Sequence, residues 1–122
     1  MRKIILASSS KHRKKLMRQL KISFSCVSPD IDESRKKSEP VSSFVKRLSI
    51  EKAEKIALLN KRAIVIGSDE VAVVKNKILG KPITRENAQK QLRLISDNEV
   101  NFKTGLCVID MLSKRKFSCV VN

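Results

Sequence analysis

Tryptophan and tyrosine are absent from these 122 residues, and four phenylalanines supply all of the 3% aromatic content. A core built from this chain must rest on Ile, Leu and Val. The aromatic platform on which single-stranded nucleic acid stacks is missing as well. Glycine occurs three times, and no Gly-rich loop of the Walker type is present. The three cysteines, Cys26, Cys107 and Cys119, are odd in number and far apart, with no CxxC or CxH pair. That weighs against a zinc site and reads as reduced thiols of a cytoplasmic protein. His12 is the single histidine, and its basic surroundings make it a poor member of a Ser–His triad. The apolar run near the N-terminus is too short for a signal-peptide core, and no stretch approaches membrane-spanning length. No membrane partner is expected.

Acidic residues are also scarce: 12 against 27 Lys and Arg, for a formal charge of +15. Such a charge attracts polyanions. It is spread along the chain instead of being gathered in a tail, which is also how a solvated basic surface looks. No helix-turn-helix or RNA-recognition signature accompanies it, so nucleic acid is not the expected partner. The length fits one domain, residues 1–122, with a modest core.

Apolar patterning divides the chain into alternating elements. "KIILAS" (3–8) is a short buried strand that stops at three serines. Residues 8–20 read as a helix capped by Ser, and 22–28 as a half-buried strand. "PDIDESRKKSEP" (29–40) is a polar loop punctuated by two prolines. Residues 41–59 place apolar side chains at helical spacing, with Lys52 and Lys55 projecting. In 63–82, "IVIGSDEVAVV" reads as a strand, a sharp turn at Asp69–Glu70 and a second strand, with "KNK" as a further hairpin bend. Thr84 caps a helix running to Leu94 or Ile95, and two strands follow at 99–111 and 116–122. The order βαβ-α-ββ-α-ββ predicts an α/β class with a mixed sheet and flanking helices.

Three constellations carry chemistry. In "LASSSKHRKK" a strand ends at a Ser-rich turn that feeds a helix, an arrangement that turns N–H groups, hydroxyls and Arg13 toward an anion. An ordinary capped helix with a basic face is the plain alternative. "DIDES" gathers Asp30, Asp32 and Glu33, hard oxygen donors suited to Mg²⁺, or acids that simply pair with neighbouring Lys. "GSDE…ILGKP" sets Asp69 at a strand end, with Lys81 beyond the hairpin and able to return beside it. A carboxylate there serves as proton acceptor or metal ligand, or as a turn residue bonding its own backbone.

Joined in order, "ILASSSKHRKKLM", "DIDES", "KAEKIA", "VIGSDEVAVV", "ILGKP", "ENAQKQLRLIS" and "FKTGLCVI" resemble the Maf family of nucleoside triphosphate pyrophosphatases. The resemblance implies a mixed α/β fold of the inosine triphosphate pyrophosphatase-like type with a cleft between two lobes. It implies hydrolysis of a nucleoside triphosphate to the monophosphate and pyrophosphate with Mg²⁺ or a similar cation. By the same resemblance Asp69 is the proton acceptor for water, and Glu33 with Asp69 is metal-associated. Ser8, Arg13, Lys52 and Lys81 match the family's phosphate-binding residues. "GSDE" with "NFKTGL" is most similar to the branch acting on 7-methyl-GTP. The family usually has Pro where Lys11 stands, and that branch has Trp at His12 and Gln at Glu70, so His12 and Glu70 are specificity positions. Family members continue well beyond residue 122, and the part supplying the rest of the second lobe is absent. The expectation is a C-terminally shortened Maf-like domain, active or reduced to a non-catalytic nucleotide binder. Its exposed strand edge invites a homodimer.

Overall fold

A computed structural model describes residues 2–80 and 84–122. Six strands and three helices are assigned among them. In chain order these are β1 (Ile4–Ala7), α1 (Lys11–Arg18), β2 (Ser25–Cys26), α2 (Val41–Leu59), β3 (Ile64–Val74), β4 (Lys77–Leu79), α3 (Arg85–Asp97), β5 (Asn101–Asp110) and β6 (Arg115–Val121). The strands form one mixed sheet in the order β2-β1-β3-β5-β6, with β4 added to β3. The predicted class and element order hold.

Two boundaries differ, and each difference has a cause. Residues 64–74 are not two strands around a turn. They form one continuous strand, because β5 pairs antiparallel with it from Ile64↔Asp110 to Val73↔Asn101. Asp69, expected at a turn, lies opposite Gly105 in mid-strand. The reversal comes later, at Lys75 and Asn76, whose φ values of 50° and 63° make the two-residue loop between Val74 and Lys77. The strand expected at 22–28 shrinks to Ser25–Cys26, which pairs parallel with Ile5 and Leu6 at the sheet margin.

β1 runs parallel to β3 only from Ile4↔Ile64 to Ala7↔Gly67, and β4 joins the same edge of β3 only from Ala72 onward. Between them, at Ser68–Val71, that edge of β3 has no strand partner among the described residues. The sheet is therefore split where Asp69 and Glu70 sit, beyond the carboxyl end of β1, the kind of crevice in which α/β sheets bind ligands.

One face of the sheet packs on α2. Ile5, Ala7, Val65, Cys107 and Ile109 meet Ala53, Ile56 and Ala57 in the buried core. The helix lies very close to the strands because two of them present glycine. A Cβ on Gly67 would collide with the Ser49 carbonyl and stand 2.8 Å from the Ala53 nitrogen. One on Gly105 would stand 2.5 Å from the Val45 carbonyl carbon. These glycines serve proximity, not turn geometry, since no described glycine has positive φ. The "GSD" sequence that reads as a turn is explained by this packing.

Gly67→Ala and Gly105→Ala should each cost about 1–3 kcal/mol, because backbone and not a flexible side chain occupies the space. Gly80→Ala, where a Cβ meets nothing within 4 Å, should stay within about 0.5 kcal/mol of the parent. Denaturant midpoints of the three variants check this.

Candidate functional site

The split in the sheet opens into a cleft of about 800 Å³ whose lining includes Ser8, Ser10, Lys11, Arg13, Glu33, Lys52, Asp69 and Glu70. Its first wall is the β1–α1 turn. Ser10 is the N-cap of α1 and accepts from the Arg13 backbone N–H at 3.3 Å. Ser8 is buried; its Oγ accepts from the Ser10 N–H at 3.0 Å and from Arg13 Nη1 at 3.3 Å. The hydroxyls, the guanidinium and the positive end of α1 therefore gather at one spot.

The floor is an ion cluster. Lys52 was expected to project from α2, yet it is 6% exposed, because the helix face that carries it lies against β3. Its ammonium donates to Asp69 Oδ1 at 3.1 Å and pairs with Glu33 Oε1 at 2.8 Å. Arg13 approaches the same Asp69 oxygen at 3.9 Å. Asp69 is 8% exposed, so its charge is balanced by Lys52 and Arg13 with little help from water.

Of the three acids in "DIDES", one reaches this cluster. Glu33 does. Asp32 instead accepts from the Ser34 N–H and hydroxyl at 2.9 and 2.6 Å, bonds that hold its carboxyl below the usual range. The Asp30 carbonyl receives the Lys55 ammonium. The far end of the loop is pinned to α2 by Arg47, which binds Glu39 at 2.8 Å and Glu51 at 3.2 Å and lies over the Phe44 ring. That guanidinium pulls the Glu39 carboxyl down to about 2.

Glu70 stands exposed at the cleft mouth, where the Thr104 hydroxyl donates to its Oε2 at 2.7 Å. His12 is exposed on α1 and is not part of the lining; its neighbour Lys11 is. Lys81 lies outside the described residues. Ser10 and Lys11 line the cleft and Thr104 holds Glu70; sequence reading named Lys11 only as a departure from the family's Pro and did not single out the other two. For Ser10 the signal was available, as the last serine before the helical run.

A family model for Maf-like proteins matches residues 3–122. The chain belongs to the Maf-like family. A 7-methyl-GTP pyrophosphatase of Pseudomonas aeruginosa is 47% identical over 118 residues, 96% of this chain and 62% of that protein. Another from Pseudoalteromonas translucida is 44% identical over 117 residues, 96% of this chain and 58% of the relative. The Maf-like chain thus spans about 60% of the length of the curated relatives it matches. Its fold is similar to two solved structures at a TM-score of 0.58. One is a nucleoside-triphosphatase, dITP/XTP pyrophosphatase, of Mycobacterium abscessus; the other is the Ham1 protein of Staphylococcus aureus. At 19% and 17% identity, with 98% of this chain and 70% of each solved chain covered, the likeness is one of fold.

Lys52→Met leaves a buried carboxylate without its principal cation and should cost about 3 kcal/mol. Lys52→Met with Asp69→Leu should recover most of that loss, which a double-mutant cycle on unfolding free energies measures.

The Glu39 carboxylate titrates lower in the folded chain than in the unfolded one. Its stabilising contribution is therefore complete above about 4.5 and vanishes as pH falls through about 2. Arg47→Gln should return its titration midpoint toward 4.5, read by carboxyl-carbon NMR.

Proposed function

We propose that the Maf-like chain is a nucleoside triphosphate pyrophosphatase, hydrolysing the α–β phosphoanhydride of a nucleotide to the monophosphate and pyrophosphate. The observation that carries this reading is the buried Asp69 carboxylate at the cleft floor, sharing Lys52 with Glu33 and facing the Ser8–Arg13 turn. A carboxylate, two cations and a helix N-terminus around one cavity suit water attack on a phosphate chain.

In this reading the Ser8 and Ser10 turn, Arg13 and Lys52 hold the phosphates and offset their charge, joined by Lys81. Asp69 accepts the proton as water oxygen bonds to phosphorus. The linkage to the departing phosphate breaks, and its electron pair leaves with pyrophosphate. Holding Lys52 and Asp69 in a buried ion pair spends little reorganisation energy at the moment of reaction.

Glu33 and Asp69 are also the residues that would hold Mg²⁺. The fit rests on their chemistry here: two hard carboxylates already converge on one cation, the Lys52 ammonium. Mg²⁺ commonly takes one or two protein carboxylates and completes its shell with phosphates and water. When bound, the ion supplies charge neutralisation to the phosphate chain. Among the described residues no group of three or more His, Cys, Asp or Glu converges.

The base is read at the cleft mouth. Glu70, fixed by Thr104, accepts hydrogen bonds from a guanine edge and favours a cationic, methylated ring. His12, exposed on α1 between the lining residues Lys11 and Arg13, is the second position assigned to that selection. The names of the relatives support 7-methyl-GTP as the first nucleotide to test. A second reading, nucleotide binding without turnover, is favoured by the engagement of Asp69 Oδ1 with both Lys52 and Arg13.

The test is pyrophosphate release from a nucleotide panel that includes 7-methyl-GTP and GTP. Asp69→Asn should lower the rate at least about 100-fold while nucleotide binding persists, and chelation of divalent cations should abolish release. Glu70→Gln should narrow the preference between methylated and ordinary GTP. Release that is equal for parent and Asp69→Asn removes the catalytic reading, and binding without release by the parent selects the second.

A further inference from the structure

No acid occurs before Asp30, and α1 carries Lys11, Lys14, Lys15 and Arg18. At about 100° per residue these four cations fall within about a third of the helix circumference. On the opposite side Arg13, Leu16 and Met17 line an apolar hollow of about 200 Å³ against Leu6, Ile66 and Leu106 of the sheet. The cationic stripe therefore faces outward, and all four of its residues are exposed. None of the four pairs with an acid among the described residues. Helix stability does not account for the stripe. Lys15 and Arg18 suit the negative end of α1, but Lys11 and Lys14 stand in the first turn, where the helix dipole repels them and no acid offsets them. Spacings of three and four residues also set like charges beside one another along the whole stripe. A face that served solubility alone would mix the two signs, as Arg47 and Glu51 do on α2. Cations held in a row against their own repulsion are relieved by an anion that repeats its charge along them.

We propose that the outer face of α1 is a phosphate track, and that the cleft accepts 5′-triphosphorylated RNA as well as free nucleotides. This rests on the nucleotide reading of the cleft. The stripe begins at Lys11, which also lines the cleft, so track and site are continuous. An RNA chain continues from the 3′ oxygen of its first nucleoside, and the exposed Lys11 and Glu70 mark the mouth through which it leaves. From there α1 runs about 10 Å to Arg18, alongside the phosphates that follow. The track holds phosphates and not bases, so it needs none of the aromatic residues that this chain lacks. The bond broken is the same as in a free nucleotide. Water oxygen joins the α-phosphorus, and Asp69 takes the proton. The α–β bridge opens with its electron pair on pyrophosphate, and the RNA keeps a 5′-monophosphate.

The probe is a labelled RNA hexamer whose 5′-triphosphate has a methylene α–β bridge, which binds without being cleaved. Fluorescence anisotropy with the full 122-residue chain should show it bound at least tenfold tighter than the 5′-hydroxyl hexamer and than GTP with the same bridge. Joint replacement Lys14→Gln, Lys15→Gln and Arg18→Gln should weaken hexamer binding at least tenfold and leave the GTP analogue within twofold. It should also flatten the slope of log affinity against log salt by about two. Joint replacement Lys3→Gln, Lys61→Gln and Arg62→Gln removes as many charges at the other end of β1 and β3 and should leave hexamer binding within threefold. Melting curves confirm that each variant is folded. A hexamer bound no tighter than the GTP analogue overturns the proposal, as does equal loss in the two variants. Tighter binding to phosphatidylserine vesicles that the α1 variant loses assigns the stripe to a membrane surface and overturns it equally. GTP hydrolysis without RNA binding overturns the track and leaves the pyrophosphatase. RNA binding that depends on α1, with no pyrophosphate from any nucleotide, overturns the pyrophosphatase and leaves the track.

Discussion

The closeness of α2 to the sheet, permitted by Gly67 and Gly105, sets the geometry of the rest of the molecule. With side chains at those positions the helix would have to stand off from the sheet, because an added Cβ would overlap its backbone. Because it does not, Lys52 is held beneath the 29–40 loop, where its ammonium meets the Asp69 and Glu33 carboxylates. The same approach buries Ser49 and Ala53 and completes the core around Val65 and Cys107. Fold and site are thus consequences of one contact surface: the helix that closes the core also delivers the cation that joins strand and loop.

That arrangement explains why acidic residues, rare in this chain, fall side by side at Asp69 and Glu70. On a strand, neighbours face opposite ways. Asp69 turns toward α2 and its lysine, and Glu70 toward the other face, where Thr104 holds it. One stretch of backbone thereby places a carboxylate at the cleft floor and another at its mouth. The unpaired edge of β3 between Gly67 and Ala72 leaves room for a ligand to reach both.

The two faces of the sheet differ in completeness. The α2 face is close-packed, and the loop over it is fastened at Arg47 and again at Lys55. The other face carries α1 by its edge and exposes Phe102, Phe117 and Val121 of the β5–β6 ladder. The cleft lies where these two regimes meet, with its Ser-rich turn on the lightly packed side and its ion cluster on the tightly packed one.

Much of this was legible in residue order. Helical spacing placed α2 at Val41–Leu59, serine capping located α1, Thr84 began α3, and alternation found β5 and β6. These are local patterns, and local backbone preference with one-sided burial is enough to produce them. The family resemblance rested on ordered motifs and survived for the same reason. What local pattern could not reveal depends on partners distant in sequence. Ser68–Val71 is strand and not turn because β5, more than thirty residues later, pairs across it. Lys52 is buried, while Lys55 three residues on stays exposed, because only one of them lies over Asp69. Glu33 alone among its neighbouring acids enters the cluster, since Asp32 is consumed by its own loop. Composition and periodicity specify which segments become helix or strand. Which charges meet is decided only when the sheet brings residues 33, 52 and 69 to one point.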